Sequence, residues 1–274
     1  MSKVAVVTGC SSGFGLLGAV ELARSGYEVV ATMRDTSRQA DLLQAAAEAG
    51  VRGRITVMEL DVTDHAQLDE VVHEVLARFE RIDVLVNNAG FALGGFADEV
   101  PLSKWREQFE TNVFGLIAMT QAVIPTMRSN RRGRIIQLGS ISGLVGFPGL
   151  SPYNASKHAV EGFSEALRHE LRPHDVYVSI VEPGSYQTSI WEKGLSEMSS
   201  AAESAQADRL QALRTQVEAT AASAGDPHEV ARLIARIAEQ PKPRLRYPIG
   251  KGIHATLFAK RMLPWRIWER LVSR

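Results

Sequence analysis

Six short runs rich in β-branched and apolar residues recur along the chain: Lys3 to Val7, Glu28 to Met33, Ile55 to Leu60, Val84 to Val86, Arg134 to Leu138 and Val176 to Val181. Between and after them lie longer stretches with apolar residues at helical spacing, at 14–25, 38–49, 65–79, 103–128, 154–172 and 227–239. This alternation leaves few architectures open. Parallel neighbours in a sheet must be joined by a crossover, and a helix of a dozen residues supplies one. The expected fold is α/β, a doubly wound parallel sheet flanked by helices on both faces. At 274 residues and 45% hydrophobic content, one such domain buries a large core.

Charge and cysteine usage narrow the classes further. Lys plus Arg and Asp plus Glu each number 31, so no global field favours nucleic acid, and none is expected as a partner. The single cysteine, Cys10, has no internal disulfide partner, and there is neither a signal-like start nor an apolar run of membrane-spanning length. A soluble, cytoplasmic protein is expected.

The first run ends abruptly in "KVAVVTGCSSGFGL", where Gly9, Gly13 and Gly15 leave a loop almost without side chains. In an open parallel sheet, ligands bind beyond the carboxyl ends of the strands, where helix N-termini offer unpaired N–H groups and partial positive charge. The loop Thr8 to Gly15, with Ser11, Ser12 and Phe14, therefore reads as a pyrophosphate cradle. No Lys-Ser or Lys-Thr pair follows to hold a triphosphate and magnesium, which weighs against a nucleotide hydrolase. The second run ends "VVATMRD". Arg34 stands where a basic side chain accommodates the extra phosphate of NADP, with Ser11 or Ser12 adding a hydroxyl, whereas Asp35 one residue on can face the ribose of NAD. NADP(H) is the preferred expectation and NAD(H) the other.

The stretch "SPYNASKHAVEGF" places Tyr153 and Lys157 four residues apart, on one helix face. Thirteen residues upstream, Ser140 closes the Arg134 to Leu138 run. With the glycine loop, these positions resemble the short-chain dehydrogenase/reductase family. The matching motifs occur in family order over residues 3–190: TGxxxGxG as Thr8, Gly9, Gly13 and Gly15; Asp61 and Val62; NNAG as Asn87 to Gly90; Asn112; Ser140; YxxxK as Tyr153 and Lys157; and PGxxxT as Pro183, Gly184 and Thr188. The TGCSSGxG loop and the Arg34 strand end look most like the branch with 17β-hydroxysteroid and retinol dehydrogenases.

The resemblance implies a Rossmann-like domain over residues 1–250 that interconverts a hydrophobic alcohol and its ketone or aldehyde. Tyr153 is implied as acid/base, Lys157 as its tuner and a partner of the nicotinamide ribose, Ser140 as the group holding the substrate oxygen, and Asn112 as support for a water chain to Lys157. A free phenol, with a pKa of about 10, is poorly matched to neutral pH, so a nearby cation is chemically needed. Asp61 and Val62 are implied at the adenine, Asn88, Ala89 and Gly90 on the adenosine side, and Pro183, Gly184 and Thr188 around the nicotinamide amide.

Competing chemistries fit less well. In "GSISG" the middle residue is Ile141, so no nucleophile elbow forms, and none of the seven histidines has metal-ligand spacing; no metal is expected. A catalytically silent NADP(H)-binding regulator or scaffold of the same fold is the alternative, disfavoured because Asn112, Ser140, Tyr153 and Lys157 are all present. The segment at about 185–225, with Tyr186, Ile190, Trp191, Leu195 and Met198, is expected as a helical substrate lid, and Phe91, Leu93, Phe96, Leu144, Phe147 and Leu150 as further apolar wall. The C-terminal extension, 251–274, mixes Trp265 and Trp268 with Lys260, Arg261, Arg266, Arg270 and Arg274. Its Leu257, Phe258, Met262, Leu263 and Trp268 are expected to pack on the domain or a partner subunit rather than on a membrane surface. The resemblance implies a homodimer or homotetramer through the helices at 103–128 and 154–172.

Overall fold

The computed structural model describes residues 2–188 and 224–272, together with residues 190, 208, 209, 211 and 215. Among them, strands β1 (Val4–Val7), β2 (Glu28–Met33), β3 (Ile55–Glu59), β4 (Val84–Asn87), β5 (Gly133–Leu138), β6 (Val176–Pro183) and β7 (Arg246–Ile249) form one sheet. Its order is β3-β2-β1-β4-β5-β6-β7, and every pairing is parallel. The chain winds outward in one direction from β1 through β3 and in the other from β4 through β7. The order therefore reverses between β1 and β4, and a crevice opens at their carboxyl ends.

Helices cover both faces, as the alternation requires. One face carries α1 (Gly13–Arg24), α2 (Ala40–Glu48) and α7 (His228–Glu239); the other carries α3 (His65–Phe79), α5 (Leu116–Ser129) and α6 (Ser151–Leu171). Strand β1 shows the two-residue period directly: Ala5 and Val7 join Leu22, Val230 and Ile234, while Val4 and Val6 join Val72, Val123 and Leu167. A Cβ at Gly18 would lie 3.5 Å from Ile234, so α1 and α7 approach closely there. Buried Asp83 accepts from Val4 N at 2.9 Å, while its own N–H donates to Val4 O, which fixes how β4 starts against β1.

Two elements differ from the sequence expectation. Strand β7 lies outside the six anticipated runs. Its four residues, RYPI, include one that is buried, Tyr247, and Pro248 is tolerated because the strand stands at the sheet edge. The helix expected over 103–128 is divided into α4 (Leu102–Phe109), a π-helical turn (Glu110–Gly115) and α5. Such turns insert a residue into the helical ladder and re-aim side chains, here that of Asn112. Gly115 closes the turn against β3's loop, where a Cβ would meet Val62 Cγ2 at 2.7 Å.

Beyond β7 run α8 (Ile253–Met262) and α9 (Trp265–Val272). Trp268 is buried and Leu257 and Leu263 are half-buried, whereas Phe258 and Met262 are exposed. Lys260 Nζ donates to Leu144 O, which ties α8 to the loop after β5. Among the described residues no helix is long and apolar enough to cross a membrane.

Candidate active site

The crevice between β1 and β4 is lined by the glycine loop. Gly9 (φ 71°) and Gly13 (φ 58°) lie in the left-handed region, where a side chain is strained. Gly15 is constrained by space instead: a Cβ there would fall onto Gly9 O and Asn88 Nδ2. Thr8 binds the loop to the end of β4, since its Oγ1 accepts from Asn88 N and Ala89 N, both at 3.0 Å. Asn88 Nδ2 returns the contact, donating to Thr8 O and Gly9 O at 2.9 Å. Cys10 N donates to Thr32 O and so joins the loop to β2. Burial pushes the Cys10 thiol upward, away from thiolate chemistry.

These contacts hold Gly9, Gly13 and Gly15, which carry no side chains, at the N-terminus of α1. That concave backbone surface, which a Cβ at Gly15 would break, fits a pyrophosphate. Thr188 closes one side of it: a Cβ at Gly13 would lie 3.6 Å from Thr188 Cβ and Cγ2. Pro183 ends β6, and Gly184 N donates to Ile249 O at 2.9 Å, so the PGxxxT stretch starts next to β7 and reaches the cradle. Phe14 packs edge-on against Tyr186, with centroids 5.7 Å apart. Ser11 is half-buried in the loop, and Ser12 stands in extended conformation at the start of α1.

At the end of β2, Arg34 and Asp35 are both exposed but differ in their engagements. The Asp35 carboxylate accepts from Ser37 N at 2.9 Å and Ser37 Oγ at 2.6 Å, capping the turn Thr36–Gln39. These bonds hold its carboxyl below the usual range. After β3, Asp61 Oδ1 accepts from Thr63 N and Thr63 Oγ1, and Val62 is buried against Gly115.

On the other side of the crevice, α6 presents Tyr153 and Lys157, both buried, and the loop after β5 presents Ser140. Ser140 Oγ accepts from Ser142 N at 3.1 Å, which fixes the loop as a short turn. Burial pushes the Tyr153 phenol up to about 12, and its hydrogen bond with Ser140 opposes the rise. Lys157 Nζ lies 5.8 Å from the Tyr153 ring centroid and donates to Leu138 O at 2.6 Å. Burial lowers Lys157 to about 8, and the charge of Glu161 counters it. Asn112 is engaged on three sides: Oδ1 accepts from Phe91 N at 3.1 Å, and Nδ2 donates to Phe91 O and to Ser156 Oγ. It thereby fixes the chain after Gly90 and the residue preceding Lys157.

The structure thus brings Ser140, Tyr153 and Lys157 together and stations Asn112 behind them. Of the expected wall, Leu93 and Leu150 are buried and Phe91, Phe96, Leu144 and Phe147 are half-buried. Most of the expected lid, including Trp191, Leu195 and Met198, lies outside the described residues. Its two ends meet, since Gly225 N donates to Ser185 O at 3.0 Å and Gln187 N to Gly225 O at 3.3 Å. The sequence reading passed over Gln108, buried, whose amide donates to Phe91 O and accepts from Leu93 N. A glutamine one helical turn before Asn112 was the available signal. Among the described residues no group of three or more His, Cys, Asp or Glu side chains is placed to hold a metal.

Comparison with known proteins bears on the family and the fold. The model of the family described as short chain dehydrogenase matches residues 3–199. The chain is 48% identical to "Uncharacterized oxidoreductase YusZ" of Bacillus subtilis (strain 168), covering 99% of this chain and 98% of that protein. It is 33% identical to a 3-ketodihydrosphingosine reductase of Bacteroides thetaiotaomicron, covering 94% and 91%. It is 40% identical to retinol dehydrogenase 8 of Bos taurus, over 73% of this chain and 64% of that one. Among solved structures, ElxO with NADP bound superposes with a TM-score of 0.77 at 27% identity, covering 93% of this chain and all of that one. A short chain dehydrogenase/reductase from Burkholderia phymatum in complex with NAD gives 0.80 at 29% identity, over 94% and 92%.

The chain belongs to the short chain dehydrogenase family. It is an oxidoreductase of the dehydrogenase/reductase type, acting on CH–OH groups and their carbonyl counterparts.

Proposed function

We propose that the protein is an NADP(H)-dependent enzyme that interconverts a hydrophobic secondary alcohol and its ketone, or an alcohol and aldehyde, with Tyr153 as the acid/base. The observation that carries this reading is the buried Tyr153 hydroxyl bonded to Ser140, with the Lys157 ammonium beside it, facing a glycine cradle across the crevice. NADPH held in the glycine cradle would supply the hydride for the carbonyl carbon. The protein's part is at the oxygen. Ser140 donates a hydrogen bond that polarises the carbonyl, and Tyr153 passes its proton to the same oxygen. A phenol lifted by burial keeps its proton at neutral pH, which suits donation in the reductive direction. The Lys157 ammonium then favours the phenolate left behind, and Asn112 supports a water chain that returns the proton.

In this reading Gly9, Ser11, Ser12, Gly13, Phe14 and Gly15 hold the pyrophosphate, and Asp61, Val62, Asn88, Ala89 and Gly90 flank the adenosine. Pro183, Gly184 and Thr188 flank the nicotinamide, and Tyr153 and Lys157 meet its ribose. Arg34 selects the 2′-phosphate, because Asp35 has committed its carboxylate to Ser37. The apolar wall from Phe91 to Leu150 and the relatives named for retinol and 3-ketodihydrosphingosine both support a hydrophobic substrate. Residues 1–250 serve as one cofactor-binding domain working in the cytoplasm, its lid at about 185–225, with the 251–274 extension packed on it or on a partner subunit. Exposed Leu102 and Phe114 favour a homodimer or homotetramer through α4, α5 and α6.

Titration of tryptophan fluorescence tests the cofactor assignment. NADPH is expected to bind at least about tenfold more tightly than NADH, ~1.4 kcal/mol, and Arg34→Asp to remove that gap. Equal binding of the two by the unaltered protein contradicts the role given to Arg34.

A further inference from the structure

Two buried carboxyl groups stand directly behind this site and have no part in the scheme above. Glu182 is the penultimate residue of β6 and fully buried; Glu161 lies on α6, one turn beyond Lys157, and is 5% exposed. Side-chain contact joins the two groups between α6, β6 and β7. Arg246 Nε sits 2.9 Å from Glu161 Oε2 and 3.6 Å from Glu182 Oε1, while its Nη2 is taken by exposed Glu165 at 2.6 Å. Glu161 Oε1 and both Glu182 oxygens are shut off from solvent without a hydrogen bond of normal geometry.

One guanidinium, already shared with a third carboxylate, cannot neutralise two buried ones in contact. Ionising both would set like charges side by side in a low-dielectric region. A proton held between the two carboxyls removes one charge and supplies the hydrogen bond that their oxygens otherwise lack. We propose that Glu161 and Glu182 share a single proton at neutral pH and act as one positioning unit that sets the charge facing Lys157. This rests on the reading of Tyr153 and Lys157 as the acid/base pair.

The packing shows how such a unit reaches the site. Glu161 follows Lys157 by four residues on the same helix face, so its charge favours the Lys157 ammonium against burial. The Ser140 loop rests on the same side chain. A Cβ at Gly139 would meet Glu161 Oε1 at 3.3 Å, and one at Gly143 would meet Glu161 Cγ at 3.1 Å and Lys157 O at 2.9 Å. The titratable and charged groups facing the pair are Lys157, His158 and Glu165 from α6 and Arg246 from β7, with a weaker pull from the Tyr247 N–H. The facing turn, Gly139 to Gly143, carries no charged side chain. Burial raises both carboxyls, and Glu182, also repelled by Glu161, is pushed up to about 8, with Arg246 opposing.

The direction of the linkage follows. Below that range the unit carries one negative charge, balanced by Arg246. When the shared proton leaves as pH rises, a second negative charge appears behind Lys157; it holds the ammonium more firmly and lifts the Tyr153 phenol further.

Infrared spectroscopy of the full chain reads the shared proton without any need for turnover. The unaltered protein is expected to show a carboxylic-acid C=O band at pH 7 that vanishes as pH rises through about 8, and Glu182→Gln to remove it. No such band at pH 7, or one that persists in Glu182→Gln, overturns the proposal; if that variant does not fold, the titration of the unaltered protein decides. The link to the site is read by ultraviolet titration of the Tyr153 phenol in the NADP+ complex, with Tyr153→Phe as the blank. Glu182→Gln should ionise Tyr153 at lower pH than the unaltered protein, and an unchanged titration overturns the positioning role. Were Tyr153→Phe instead to retain turnover, the acid/base reading would fall while the infrared result stood.

Discussion

Replacing Tyr153 by Phe is expected to lower carbonyl reduction by about 10³-fold. The substitution removes one oxygen and keeps the buried ring, so the packing around α6 has no reason to change. What is lost is the proton that must reach the substrate oxygen, together with the hydrogen bond to Ser140. No other described side chain of the constellation can replace it: Lys157 is committed to Leu138 O, and Asn112 to Phe91 and Ser156. NADPH affinity should fall by no more than about tenfold, ~1.4 kcal/mol, because one contact to the nicotinamide ribose is lost while the cradle across the crevice is untouched. Steady-state kinetics paired with a fluorescence titration separate the two quantities. Loss of binding together with turnover would mean that Tyr153 mainly holds the cofactor.

Gly15→Ala is expected to cost about 3 kcal/mol of stability and most of the cofactor affinity. Its Cβ would fall on Gly9 O and Asn88 Nδ2, and neither has room to retreat. Asn88 Nδ2 is held by two hydrogen bonds, and Gly9 is itself close enough to Ala89 that its own Cβ would lie 2.9 Å from Ala89 Cα. Relief would require the loop to part from β4, which opens the surface that meets the pyrophosphate. The same substitution at Gly162, in the middle of α6 with nothing within 4 Å of the added carbon, should stabilise by roughly 0.5–1 kcal/mol. Denaturant unfolding of both variants, with NADPH titration of Gly15→Ala, gives the comparison. Equal stabilities would show that the cradle is not sterically closed.

Much of this architecture is legible in the residues because buried parallel strands read as apolar runs and their crossovers carry helical spacing. β1, β2 and β5 follow that rule. β7 escapes it because four residues, one of them Pro248 and one Arg246, contain too little burial to register. The π turn is likewise invisible, since "FETNVFGLIAM" keeps helical spacing across it, and what forces the change is tertiary: the approach of Gly115 to Val62 and of Asn112 to Phe91. At the candidate site, Ser140, Tyr153 and Lys157 are legible through the family resemblance of their motifs, since the Tyr153–Lys157 spacing alone is common. The sequence leaves Arg34 and Asp35 both open at the end of β2, and the bonds from Ser37 to the Asp35 carboxylate, which support the proposed role of Arg34, have no signal in it. The Glu161–Glu182 contact joins residues that are unremarkable when read separately, although a glutamate inside the apolar run "VYVSIVEP" was a signal that something must neutralise it.

The central claim is that this crevice delivers a hydride and a proton to one carbonyl. It is tested most directly by incubating the protein with NADPH deuterated at the transferable position and a panel of aryl alkyl and long-chain ketones, then locating the label by mass spectrometry. The account predicts an alcohol bearing one deuterium on the carbinol carbon, formed by the unaltered protein and not by Tyr153→Phe. Tight NADPH binding with no labelled alcohol above the Tyr153→Phe background, across the whole panel, would contradict it and point to a protein that binds the cofactor without turning it over.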